Sequence, residues 1–158
     1  GLDGGYGQVC VIGWAIDDGP VRTLDVPDLK PDSERAVIAA WFALLTPGTL
    51  IGHNIIGFDI PFLWHRSIVL GIRPPSWFPR DVKPWGTEVF DTMTQWAGAR
   101  NRISMEKLGR ILRVPRQVPV GGADVWALVQ AGRMADVVAH CEDDVTRTRA
   151  IWRRMVFA

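Results

Sequence analysis

A β-hairpin followed by alternating helices and short strands is the feature that most limits the folds open to this chain. "QVCVIGWAI" (8–16) is rich in β-formers, "DDGP" (17–20) is a turn and "VRTLDV" (21–26) is a second strand, so a hairpin is predicted. "PDSERAVIAAWFALLTPG" (31–48) reads as a helix capped by Asp32 or Ser33 and stopped by Pro47 and Gly48. "TLIGHN" (49–54) is a short apolar run ending in polar residues, which predicts a buried parallel strand. "FDIPFLWHRSIVLGI" (58–72) is a helix with Pro61 in its first turn. Pro74, Pro75, Pro79 and Pro84 make 73–87 a loop. Beyond it, "EVFDTM" (88–93) is a last strand running into a helix that carries Trp96, and "SMEKLGRILRV" (104–114) is a short helix capped by Ser104. "GGADVWALVQAG" (121–132) is a helix between glycines, and about 134 to 156 is a long final helix. This order predicts an α/β domain with a mixed sheet flanked by helices. At 158 residues the chain is the size of one domain with one core.

Charge and cysteine usage narrow the function classes. The net charge is +1, from 18 basic and 17 acidic residues, so any nucleic-acid site must be local rather than a global basic field. Cys10 and Cys141 form no CxxC pair, which argues against a thiolate zinc site. Their scarcity favours a reducing, cytoplasmic setting. No apolar run approaches the ~20 residues of a membrane span, and no stretch reads as a signal peptide.

Two carboxylates stand in costly places. In "GHNIIGFDIPFL" (52–63), Asp59 sits among Phe58, Ile60, Phe62 and Leu63, and burying it is expensive unless something neutralises it. Asp59 reads either as a helix cap or as a ligand. If Pro61 is the first helical residue, the capping position is Ile60 and Asp59 falls one too early. On the last helix, Val137, Ile151 and Met155 fall within about 20° of Asp144, which is therefore centred on the face to be buried. Asp144 reads either as half of a buried ion pair or cap, or as a metal ligand. Glu142 points to the wet face, Asp143 flanks, and Arg147, Arg153 and Arg154 fall mostly off the apolar stripe. His140, one turn before Asp144, reads as a half-buried surface histidine or as a base beside a metal site. His53 and Asn54 end a predicted parallel strand, where open α/β sheets bind ligands, or they are an ordinary polar turn.

"GHNIIGFDIPFL" resembles the second motif of the DEDD (DnaQ-like) 3′–5′ exonucleases, and "HCEDDVTRTRAIW" resembles their third. The intervening "VFDTMTQW", "ISMEKLGRIL" and "GGADVWALVQAGR" resemble the spacer of stand-alone exonucleases similar to family-B polymerase proofreading domains. The resemblance runs from about residue 8 to the end of the chain. It implies an RNase H-like fold and two Mg²⁺ or Mn²⁺ ions held by four carboxylates, a donor set that suits hard cations. It assigns Asp59 and Asp144 as metal ligands and His140 to the position of a residue that orients or activates the attacking water. His53 and Asn54 would shape the substrate site.

Two departures stand out. In the family's histidine branch the histidine lies five before the Asp, where this chain has Ala139; His140 is a histidine at the spacing of the tyrosine branch. The family's first motif, Asp-x-Glu on the opening strand, occurs nowhere before the first predicted strand, and Asp3 is in the wrong place to substitute. That strand lies mid-sheet in the family fold, between the hairpin and the strand ending at His53. Its absence would leave unpaired edges. The expectation is therefore an exonuclease-like domain, residues 1–158, excerpted from a longer chain and weak or inactive alone.

The implied activity is metal-dependent hydrolysis of single-stranded or frayed DNA ends to nucleoside monophosphates, with RNA left open. Among the eight Trp, those flanking the proline loop (Trp64, Trp77 and Trp85) are the candidates for stacking on bases, and Arg80, Lys83, Arg100 and Arg102 for tracking a backbone. Two competing readings are a nuclease-fold module that binds nucleic acid or a partner without cutting, and a proofreading domain of a larger polymerase or helicase.

Overall fold

The computed structural model describes residues 4–119 and 124–158. Strands β1 (Val11–Trp14) and β2 (Arg22–Asp25) form the expected antiparallel hairpin, in register from Val11↔Asp25 to Trp14↔Arg22. Helix α1 (Pro31–Leu44) begins on a proline at its first position, where the missing N–H costs nothing. Neither Asp32 nor Ser33 caps it from outside. Lys30 takes the capping position, and the Asp28 carboxylate accepts from Lys30 N at 2.9 Å and from the Ser33 hydroxyl at 2.6 Å. The turn was legible as polar, but the capping residue lies upstream of the predicted one.

β3 (Leu50–Gly52) pairs in parallel with β4 (Val89–Asp91), Leu50 opposite Val89 and Gly52 opposite Asp91. β3 is only partly covered and Ile51 is exposed, so the strand is less buried than expected; among the described residues it pairs with β4 alone. α2 (Ile60–Leu70) follows, then the irregular proline loop, then α3 (Thr92–Ala97) directly from β4. Ser104 caps α4 (Met105–Leu112) as expected, accepting from Lys107 N at 3.1 Å. α5 (Val125–Gln130) lies inside the predicted 121–132 helix, whose first three residues fall outside the described ones. α6 (Met134–Met155) closes the chain.

The single mixed sheet does not form among the described residues. The hairpin and the β3–β4 pair are separate two-stranded sheets. α6 packs against β1, β2 and β3, so one helix spans both sheets and sets their spacing.

The main core cluster is Val9, Trp14, Ile38, Trp41, Phe42 and Phe78. The Trp41, Phe42 and Phe78 rings meet at 5.1 to 6.0 Å, within the range of favourable aromatic pairing. Trp64 and Trp77 pack on this cluster. Trp64 donates to Pro79 O at 2.7 Å and carries the Arg80 guanidinium 4.5 Å above its ring. Two of the three stacking candidates thus serve packing. Trp85 is 80% exposed but precedes β4, on the strands' amino-terminal side.

Beside the core a buried ion pair ties three segments together. Arg66 of α2 meets Glu34 of α1 through two bonds of 2.8 Å, Glu34 also accepts from Val9 N at 2.9 Å, and Arg66 donates to Gly4 O at 3.1 Å.

On α6, Val137 and Ile151 are buried and Glu142 is exposed, as the wheel predicts, but Asp144, expected at the centre of the buried face, is only half-buried. Arg147, expected off the stripe, is 2% exposed, and Asp143 is buried as well. The cause is α4, which packs along that side of α6. A Cβ on Gly109 of α4 would come within 2.8 Å of Arg147 Nη2, so glycine makes the room. Asp143 accepts from Gln117 N at 3.2 Å. A wheel built on hydrophobicity cannot register a polar helix contact of this kind.

Candidate active site

The carboxyl ends of β3 and β4 and the middle of α6 bring the sequence-predicted residues into one region. After β3 the chain turns sharply. Asn54 takes a left-handed conformation at φ 58°, and Ile55–Asp59 forms a turn of π-helix before α2. Such turns cost backbone energy and cluster at functional sites. The turn is tight: a Cβ on Gly57 would lie 2.6 Å from Asn54 Oδ1. Asp59 ends it, immediately before α2, but makes no side-chain capping bond. Its carboxyl group therefore has no structural cap role here.

Asp59 is exposed at the surface, but protein packs closely about its carboxyl group. That crowding pushes its pKa up from 3.8 to about 7; a backbone hydrogen bond opposes the rise, and the negative charges of Asp91 and Asp144 add to it. Asp144 lies within electrostatic reach, with 37% of its side chain exposed. His140, 8% exposed, sets Nε2 3.1 Å from Asp144 Oδ2 across one helical turn. Cys141 also faces this region, but burial, followed by the charges of Asp144 and Asp59, pushes its thiol up to about 12.

His53 has both ring nitrogens engaged. Nε2 lies 2.9 Å from Ile103 O and Nδ1 2.8 Å from Thr92 Oγ1. A carbonyl only accepts, so in the neutral ring Nε2 carries the hydrogen and Nδ1 accepts from the hydroxyl. His53 thus ties the end of β3 to α3 and to the segment before α4. Burial, outweighing the Ile103 hydrogen bond, holds its pKa below the usual 6.5. An unfolded chain takes up this proton first as pH falls, so His53 contributes stability that is present above about 6.5 and lost below it. We expect the melting temperature of the wild type to drop more between pH 7 and pH 5 than that of His53→Gln. Parallel curves for the two proteins would contradict the linkage.

Asn54 presents its backbone rather than its side chain to the site's framework. Asp91, which sequence reasoning left without a role, accepts from Asn54 N at 2.8 Å, Ile56 N at 3.1 Å and Met93 N at 2.9 Å. The only signal in the sequence was an Asp at a strand–helix junction, which announces the cap on Met93 but not the reach to residues 54 and 56. Among the described residues no group of three or more His, Cys, Asp or Glu is placed to hold a metal ion.

A stretch of 57 residues, 34% of the chain, is 39% identical to the DNA polymerase delta catalytic subunit of Arabidopsis thaliana, and it covers 5% of that relative's length. No solved structure matches the chain. Residues 6–158 match the model of a family described as a predicted 3′–5′ exonuclease related to the exonuclease domain of PolB. That span takes in the hairpin, the Asp59 turn and all of α6, and by it the chain belongs to this family of PolB-related predicted 3′–5′ exonucleases.

Proposed function

We propose that the protein is a metal-dependent 3′–5′ exonuclease that shortens single-stranded or frayed DNA ends to nucleoside monophosphates. The observation that carries this reading is that Asp59, ending the π-turn, and Asp144, beside His140 on the middle of α6, come from separate elements into electrostatic reach of one another. The DNA polymerase relative favours DNA over RNA as substrate.

The donor chemistry fits a hard divalent cation. Burial chiefly, and after it the charges of Asp91 and Asp144, raise the Asp59 pKa, and a bound cation would offset both by stabilising the carboxylate. Mg²⁺ commonly uses one or two carboxylates and completes its shell with water and substrate phosphates. Asp59 and Asp144 would hold Mg²⁺ or Mn²⁺, which lowers the pKa of the attacking water and neutralises charge at phosphorus. His140, whose Nε2 lies 3.1 Å from Asp144 Oδ2, would orient that carboxylate and take part in activating the attacking water. His53 and Asn54 shape the floor.

Two carboxylates do not make the four-carboxylate cage of a two-ion site. The same reading puts a further strand, carrying the Asp-x-Glu pair, between the hairpin and β3 in an RNase H-like sheet, with residues 1–158 as one domain. Support comes from two small sheets that rest on the same helix without pairing with each other. No helix among the described residues is long and apolar enough to cross a membrane. The free cysteines Cys10 and Cys141 suit a cytoplasmic setting.

The test uses the complete protein and 3′-labelled single strands. Degradation is expected with Mg²⁺ or Mn²⁺ and none in EDTA. Metal binding should release more protons at pH 6 than at pH 8, because Asp59, with its pKa near 7, is protonated at the lower pH. Undiminished degradation in EDTA defeats the metal assignment. Strand binding that survives EDTA with no cleavage under any metal would favour the non-cutting module, a reading that gains from the sparse ligand set.

A further inference from the structure

We propose that Asp91 is a positioning residue for Asp59: its buried carboxylate clamps the π-turn and thereby aims the Asp59 side chain. The inference rests on the exonuclease reading for its consequence, but its geometry stands alone. Asp91 is 1% exposed, and a carboxyl group buried to that degree needs hydrogen-bond donors around it. Those groups are three backbone N–H donors, two of them from the turn that ends in Asp59.

The reach follows from strand register. Gly52 is paired with Asp91 in the parallel ladder, so the Asp91 side chain at the strand end lies beside the residues that follow Gly52. Asn54 there is left-handed, a conformation that Asn tolerates better than most residues and that the two bonds to Asp91 hold in place. The N–H groups of Asn54 and Ile56 lie in the first part of the turn and bond to the Asp91 carboxylate. Without it, two donors in a partly buried site lose their partner, and the turn is free to relax into an ordinary helical start. Asp59 is five residues beyond Asn54, so such a relaxation would re-aim it. A metal site needs its ligands held by partners of this kind.

Asp91→Asn keeps the side-chain size but sets an NH₂ group against one of the backbone donors. In the complete protein we expect Mn²⁺ affinity, read by electron paramagnetic resonance, to fall by roughly tenfold or more, with kcat falling similarly and KM for the strand unchanged. Fast amide exchange at Asn54 and Ile56 should accompany it. A lowered melting temperature with unaltered Mn²⁺ affinity would show a merely structural residue and overturn the proposal.

Should Asp91→Asn fail to fold, the wild type decides. Asn54 and Ile56 amides must be protected in the metal-free protein, although neither pairs with a strand, and exchange at the rate of open loops overturns the clamp. Asp59→Asn separates the two levels. If it leaves Mn²⁺ affinity intact, the exonuclease reading falls, while amide protection at residues 54 and 56 still supports or rejects the clamp.

Discussion

Asp144→Asn removes metal-dependent degradation of 3′-labelled strands, with a loss of about 10³-fold or more. The substitution keeps the volume and one oxygen, so the fold and the His140 contact are expected to survive. What disappears is one of the two negative charges available for a divalent cation at this site. Among the described residues Asp144 has no Arg pair, and its side chain meets His140 at 3.1 Å. A carboxylate that exposed has little structural work, so its loss should show in activity and metal affinity rather than in melting temperature. The measurement is single-turnover cleavage beside a thermal melt of wild type and variant. Full activity in the variant would remove Asp144 from the metal site.

The largest effect on stability is expected at Glu34. Glu34→Ala leaves Arg66 without its bidentate partner and strips the acceptor from Val9 N. Glu34 is 1% exposed, and breaking a pair buried to this degree costs about 3–5 kcal/mol. For a chain of 158 residues that corresponds to a fall of roughly 10 °C in melting temperature. Replacing both partners by apolar residues, as in Glu34→Leu with Arg66→Met, should recover only part of the loss. Val9 N and Gly4 O would still lack their partners. A double variant as stable as the wild type would show that those two backbone bonds contribute little. Calorimetry on Glu34→Leu, Arg66→Met and the double variant separates these terms.

Much of the fold was legible because local chemistry encodes it. The hairpin, the proline loop, the Ser104 cap and the limits of α6 follow from alternation, turn residues and helix period. Asp59 and Asp144 were legible as candidates because a carboxylate in apolar company is costly and therefore conspicuous. Asp91 was not conspicuous, since an Asp between a strand and a helix looks like any cap. Trp64 and Trp77 had the composition of a stacking surface, and only the placement of Phe78 and Pro79 turned them inward.

The sequence by itself determined which segments are strands and helices and which acidic side chains need a partner, because periodicity and desolvation cost act on neighbours along the chain. Only the tertiary structure decided that the strands form two small sheets spanned by α6 and that α4 buries Arg147. The Gly52–Asp91 register likewise decided which carboxylate holds the Asp59 turn. These outcomes depend on contacts between residues 35 or more apart in sequence, such as Asp91 with Ile56, and no local pattern specifies them.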